Sequence, residues 1–564
     1  MKKYLFLLCA ISLVFLSSCG NNGIIQNEDG SITITKVDKD GSAVKYNQKY
    51  DGFENVTIID GSKIKNLNPV NVNLAEYKEK DVLFDFSCDI KIDEINGKET
   101  DVIWMINEIS ANMPQIAREK IPSGKWVSMS GSVFIHLSGE QNFYLSSSGM
   151  HAENRTFYIK NFKLKLSGEG IGNKTEIIKN WKEVPSLKEA YKGKFDYFGL
   201  AAVFRGEFDQ QPIAEGIAYH ADCITAGNEF KPDFIFNWSR PKKFGDFVAE
   251  DGKTYQMPID VPKFGGQEKY LQACKDAGVK MRGHVLVWHS QTPAWFFKEN
   301  FDLSKGQVSK EEMTARQEWY IKTVLEFVDN WEKENNNGEH IITSWDVVNE
   351  AISDGATSTK WLRTDSNWYD VYGDETFIIN AFRYANKYAP KDVKLVYNDY
   401  GCYSQNKKNA ICTLIDLIKA APDARLDCIG MQSHVKINFP NVTGPNSYES
   451  AVQTFIQKGV DVQVTELDIA NAKDPYSPYL LKAKYKEYYE MFLRNRKTDS
   501  KNGICGVTVW GIKDEGTWLN AQKEYKGYKQ YPLLFRESGS EENSEYLCKP
   551  AFFGVLEAAQ EFTE

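Results

Sequence analysis

Glu350 closes the apolar segment ITSWDVVNE, and Glu466 lies toward the end of a second, VDVQVTELD. Hydrolysing an acetal needs two carboxyl groups. One protonates the leaving oxygen, and the other stabilises or attacks the anomeric carbon. Taken singly, either glutamate reads equally well as a solvated strand end. Their neighbours tip that balance. Asn349 precedes the first, Asp468 follows the second by two residues, and Gln432 and His434 share the segment GMQSHV. His284 and His289 lie five apart in MRGHVLVWH, so strand alternation puts them on opposite faces and argues against a shared metal. No C-x-x-C spacing occurs, so no zinc ribbon is expected, and the chemistry calls for neither a metal nor a cofactor.

Such groups need a frame that brings them together. From residue 184 onward eight short apolar runs alternate with longer helical patterns: FDYFGLAAV, DCITAGNE, MRGHVLVWH, ITSWDVVNE, VKLVYNDY, CIGMQSH, VDVQVTELD and GVTVWGI. The stretches 268–278 and 314–334 between them are amphipathic. Near-continuous apolar strands alternating with helices predict a parallel sheet covered by helices, and eight repeats predict a (β/α)8 TIM barrel. In that fold the active site lies at the C-terminal ends of the strands, where Glu350 and Glu466 both fall.

With the barrel in view, WDVVNEAI, VTELDI and RGHVLVWHSQTPAWF resemble glycoside hydrolase family 10, the retaining endo-β-1,4-xylanases, over residues 184–564. The resemblance implies Glu350 as acid/base and Glu466 as the nucleophile that forms a covalent glycosyl-enzyme. It implies that Asn349 bonds the sugar 2-hydroxyl, and that His434 and Asp468 keep Glu466 ionised and oriented. Gln432 belongs beside the acid/base. Asn228, Lys231, His284, Trp288 and Gln291 would line the sugar sites on the non-reducing side, with Trp510 and Trp518 as aromatic floor and lid. One position departs from the pattern. Where the family carries Glu before Asn, this chain reads ITAGNEFK, with Gly227 in that place. That removes a hydrogen-bonding group from a distal sugar site and keeps a β-1,4-glucanase of the same mechanism as an alternative. A second departure is the long segment 236–264 between strands two and three, expected as a loop at the cleft edge.

The remainder of the chain has a different texture. Residues 1–18 have a basic start, an apolar run too short to span a bilayer, and small residues before Cys19, as in a bacterial lipoprotein signal peptide. Cys19 is the expected lipidation site, making the protein an exported lipoprotein held to a membrane. Residues 19–35 read as a tether. Residues 36–168 alternate apolar and polar positions between Gly/Ser/Asn turns, predicting an all-β sandwich. Their closing segments resemble carbohydrate-binding modules of families 4, 9 and 22. Trp104, Trp126, Phe143 and Tyr144 are candidate stacking rings there, and 169–183 reads as a second linker. The aromatic surplus, 13 Trp and 29 Tyr, suits sugar faces, and a net charge of −9 excludes the basic stripe that nucleic acid needs. The expected partner is xylan or its oligosaccharides. A non-catalytic glycan-capture lipoprotein is the reading from another class, but such a binder would usually lose a catalytic glutamate. Oligomeric state and disulfide pairing stay open.

Overall fold

The computed structural model describes residues 179–202, 208, 211–236, 240–472, 478–526, 528–537 and 546–563. Before these it describes strand-bearing segments, namely 23–26, 31–36, 44–46, 57–60, 72–73, 80–92, 99–107, 115–137, 142–147 and 156–167. Residues 1–18, read above as a signal peptide, and Cys19 lie outside the described residues.

Eight parallel strands close into a barrel. They are β1 (Tyr197–Ala202), β2 (Cys223–Ala226), β3 (Lys280–Trp288), β4 (Ile342–Asn349), β5 (Lys394–Asp399), β6 (Cys428–Met431), β7 (Asp461–Ala470) and β8 (Ile504–Val509). Each pairs with the next in parallel register, and β8 returns to β1 through Tyr197↔Gly506, so no edge is left open. The outer layer is α1 (Gln211–His220), α2 (Gly265–Ala277), α3 (Lys310–Asn335), α4 (Thr376–Tyr388), α5 (Gln405–Ala420), α6 (Tyr448–Gln457), α7 (Pro478–Arg494) and α8 (Pro550–Glu561). Strands β1, β2, β6, β7 and β8 are buried along their whole length, inside by one another and outside by helices. That explains why they read as largely apolar runs. Local chemistry sets the boundaries of the helices. The Ser309 hydroxyl accepts from the Glu312 amide at the start of α3, and α2 stops at Gly278, whose φ of +66° favours a residue free of a Cβ.

Several expectations change. The short strand His434–Lys436 is separate from β6. Ser433, at φ +68°, turns the chain so that His434 pairs beside Asp468 on β7. The linker read at 169–183 ends inside the barrel. Trp181 is wholly buried against Phe535 and Tyr546, its carbonyl lies 2.6 Å from His220 Nε2, and a bridge joins Asn180 to Leu547. The segment 236–264 contains a hairpin, Phe244–Val248 with Thr254–Pro258, rather than an open loop. Its tip is tied to the outer helices: the Glu250 amide donates to Glu318 Oε2 on α3, and Arg383 on α4 pairs with Glu250.

In the first 170 residues the described strands form two antiparallel sheets, of seven and four strands. The stretch read as a tether carries two of them. Gly23–Gln26 pairs with Ser31–Lys36, because the alternation in SITITK is itself a strand pattern. Of the eight cysteines beyond residue 19, seven are buried and Cys412 is half-buried, all as free thiols.

Candidate active site

Glu350 follows the last residue of β4, and Glu466 sits within β7. Their side chains are 15% and 6% exposed. Three amides link the pair, and an indole binds Glu350 as well. Gln432 Nε2 donates to Glu350 Oε1 (2.9 Å) and to Asn349 Oδ1 (3.1 Å). Asn398 Nδ2 donates to the same Asn349 oxygen (3.0 Å) and to Glu466 Oε1 (2.8 Å). Trp288 Nε1 donates to Glu350 Oε2 at 3.1 Å. Donors placed on both carboxylates fix where their oxygens point.

The two carboxylates differ in surroundings. His434 stands between two acids, with Nε2 3.2 Å from Glu466 Oε2 and Nδ1 2.9 Å from Asp468 Oδ2. Burial opposes a charge on this imidazole, but the two carboxylates outweigh it and raise its pKa to about 10. Burial likewise opposes ionisation of Glu466. The hydrogen bond from His434, the nearby His284 and the Asn398 amide together reverse that and hold its pKa at about 2. Glu466 is therefore a persistent carboxylate, as a nucleophile at carbon requires.

Strands β4 and β7 divide the mouth into two arcs. One, formed by β8 and β1 to β3, carries most of the sugar-binding candidates. Lys231 Nζ lies 3.1 Å from Asn228 Oδ1 and 5.1 Å from the Trp288 ring centre. Burial lowers the Lys231 pKa, against the pull of Glu466, Glu350 and Glu229. The His284 ring is 5.7 Å from Trp510, which is 6.3 Å from His434. Trp518 Nε1 donates to Asp468 Oδ2 at 2.8 Å, and its ring packs on His434 at 4.8 Å. Gln291 lies in the loop after β3 at φ +44°, its carbonyl accepting from the Asp233 amide. On the other arc, after β5 and β6, stand Tyr400, Tyr403 and the half-exposed Phe439, the last two in edge contact at 5.5 Å.

Comparison with known proteins gives this arrangement its place. The model of glycosyl hydrolase family 10 matches residues 186–558. The chain belongs to glycosyl hydrolase family 10. Its barrel is similar to those of the family's endo-1,4-β-xylanases. Endo-1,4-beta-xylanase Y of Acetivibrio thermocellus is 34% identical over 379 residues, 65% of this chain. The chain spans only 32% of that relative's length. The solved CBM22-1–GH10 modules of Clostridium thermocellum endo-1,4-beta-D-xylanase 10B, complexed with xylohexaose, superpose with a TM-score of 0.55 at 26% identity. That match covers 88% of this chain and 89% of the other. The endo-1,4-beta-xylanase of Caldicellulosiruptor owensensis gives 0.52 at 29% identity, over 66% of this chain and 99% of its own.

Within this family 10 barrel, side-chain contacts bring Asn349, Gln432 and Trp288 to Glu350, and His434 to Glu466 with Asp468 and Trp518 behind it, and some further residues join them. His284 on β3 and His289 just past its end both come to the mouth. A register irregularity between His284 and Val287 breaks the alternation that put them on opposite faces, leaving His289 Nδ1 4.0 Å from Glu350 Oε2. Asn398 bridges Asn349 and Glu466, a role that a bare strand-end asparagine does not declare. Asp346 binds His284 Nδ1 at 2.8 Å and pairs with buried Arg282. It could have been found, since it lies on β4 in the same alternation as Glu350. Arg363, which reaches the Glu350 carbonyl, left no sequence signal. Among the described residues, Cys428, Asp461 and Cys505 are the one grouping with metal-ligand spacing. They sit at the starts of their strands, at the opposite end of the barrel from the mouth, and Asp461 is paired with Lys497 at 2.7 Å.

Proposed function

We propose that the protein is a retaining endo-β-1,4-xylanase with Glu350 as acid/base and Glu466 as nucleophile. The observation that carries this reading is the asymmetry of the pair. Glu466 is buried among donors and a cationic imidazole, while Glu350 is more open and has no cation bound to its carboxylate. In the first step Glu350 gives its proton to the leaving sugar oxygen as the Glu466 oxygen bonds to the anomeric carbon. In the second, Glu350 takes a proton from water as that water breaks the glycosyl ester and frees Glu466. Asn349 holds the 2-hydroxyl, a contact that tightens as positive charge builds on the ring. Asn228, Lys231, His284, Trp288, Gln291, Trp510 and Trp518 hold the sugars on the non-reducing side.

Residues 36–168 form, on this reading, a sugar-binding sandwich. Support comes from the alternating strands and from the likeness to a solved protein that pairs such a module with a family 10 barrel. A lipid on Cys19 would anchor the whole to a membrane. Among the described residues no helix is long and apolar enough to cross one. Gly227 favours a second reading, in which β-1,4-glucan is also cut. Product profiling on linear and arabinose-substituted xylan and on cello-oligosaccharides tests the whole proposal. Short xylo-oligosaccharides with new reducing ends are expected, and no release from any of these glycans would overturn it. Faster release from cello-oligosaccharides than from xylan would favour the second reading.

A further inference from the structure

Glu350 has φ +55°, a left-handed backbone that a glutamate adopts only when its surroundings enforce it. Two hydrogen bonds hold it there, one on each side of the residue. Its amide donates to the Asn398 carbonyl on β5 at 2.9 Å. Its carbonyl accepts from Arg363 Nε, also at 2.9 Å. The first is part of the strand framework. The second comes from a loop side chain 13 residues further on. We infer that Arg363 is a positioning residue for the acid/base, clamping the Glu350 backbone so that its carboxyl meets the leaving oxygen.

The guanidinium is itself fixed on several sides. Its Nη2 donates to Tyr400 Oη at 2.9 Å and lies 3.6 Å from Asp354 Oδ1, while the Arg363 amide donates to the Ala351 carbonyl at 2.8 Å. Asp354 is held in turn by Lys407, and Lys407 by Asp399 at the end of β5. A planar fork spanning two acceptors in one plane suits such a clamp, and an ammonium cannot reproduce it. Both Glu350 carboxylate oxygens are taken by Gln432, Asn349 and Trp288, so Arg363 acts through the main chain alone. Its effect is therefore on direction rather than on charge. A carboxyl turned slightly away from the leaving oxygen fails at protonation first, and nucleophilic attack by Glu466 is left intact.

That separation can be measured, and it rests on Glu350 being the acid/base. A 2,4-dinitrophenyl xylobioside leaves without protonation, whereas a phenyl xylobioside needs it. For Arg363→Met, kcat/KM on the phenyl substrate should fall about 10- to 100-fold, the scale of a misplaced catalytic group, with less than about a threefold change on the dinitrophenyl substrate. Equal losses on both substrates would mean that Arg363 supports the loop or sugar binding only, and no loss on either would mean that it positions nothing. Either result overturns the inference. Arg363→Lys, which keeps the cation but loses the fork, should show the same split at smaller size and carries the test if the methionine variant does not fold. Glu350→Ala is the control. If it too loses both substrates equally, the assignment of the acid fails rather than that of its clamp.

Discussion

Each glutamate of the pair should leave its own stereochemical signature when removed. With Glu350→Ala, hydrolysis of xylan should fall about 10²- to 10⁴-fold, the usual contribution of a general acid/base. Added azide, which needs no deprotonation, should then collapse the glycosyl-enzyme to a β-xylosyl azide. With Glu466→Ala the azide attacks from the nucleophile's side and the α product is expected. Proton NMR of the two azides distinguishes them. The pH behaviour of His434 and Glu466 follows from their shifts. Glu466 is lowered from 4.5 to about 2, so its contribution to stability is present above pH 4.5 and is lost as pH falls toward 2. His434 is raised from 6.5 to about 10, so its contribution is full below pH 6.5 and is lost as pH rises toward 10. Melting temperatures of the protein and of His434→Phe should therefore differ most between pH 4.5 and 6.5, and converge toward pH 10. A gap that stayed constant across this range would contradict the ion pairing. At this scale sequence was informative where a polar residue fell toward the end of an apolar run, as at Glu350, Glu466 and Asp468. It was silent where geometry decides: Asn398 reads as one more strand-end residue with nothing to show that it bridges Asn349 and Glu466, and Arg363 as a loop arginine like many others until the fold brings it to the Glu350 carbonyl.

Strands and helices account for the next level. The eight apolar runs were legible because burial on both faces keeps polar residues few within them, and each run became a barrel strand. Breaks in regularity were not legible. The positive φ at Ser433 and the register slip after His284 redirect imidazoles without any change in hydrophobic pattern. The start of the barrel was misjudged for a related reason. A single buried tryptophan behind a polar segment does not look like an element. Yet a Cβ at Gly216 on α1 would run into the Trp181 indole, so helix and ring are fitted to each other. Trp181→Ala should cost about 3–5 kcal/mol in denaturant unfolding, the range for a wholly buried aromatic. A barrel begun at residue 184 should be less stable than one begun at 179, and equal midpoints would show that the tryptophan is dispensable.

For the whole molecule, the question is what the first 170 residues add. If they form a sugar-binding module, removing residues 1–178 should lower the rate on insoluble xylan and leave that on soluble xylohexaose unchanged. Parallel loss on both would assign those residues to barrel stability instead. Replacing Cys19 with serine should move the protein from the membrane fraction to the soluble one, and retention would exclude that anchor.

The uneven mouth also imposes an order in time. One arc carries Trp288, Trp510 and Trp518, and the other Tyr400, Tyr403 and Phe439, which is half-exposed and makes this the more open edge. If Glu350 and Glu466 act as proposed, the fragment on the open edge would be free to diffuse once the bond between the two arcs breaks, while its sibling would stay esterified to Glu466 beneath the indoles. The vacated side then admits whatever arrives next. In dilute sugar that is water. In concentrated xylo-oligosaccharide it would be another hydroxyl, and the same catalyst would then lengthen chains rather than shorten them.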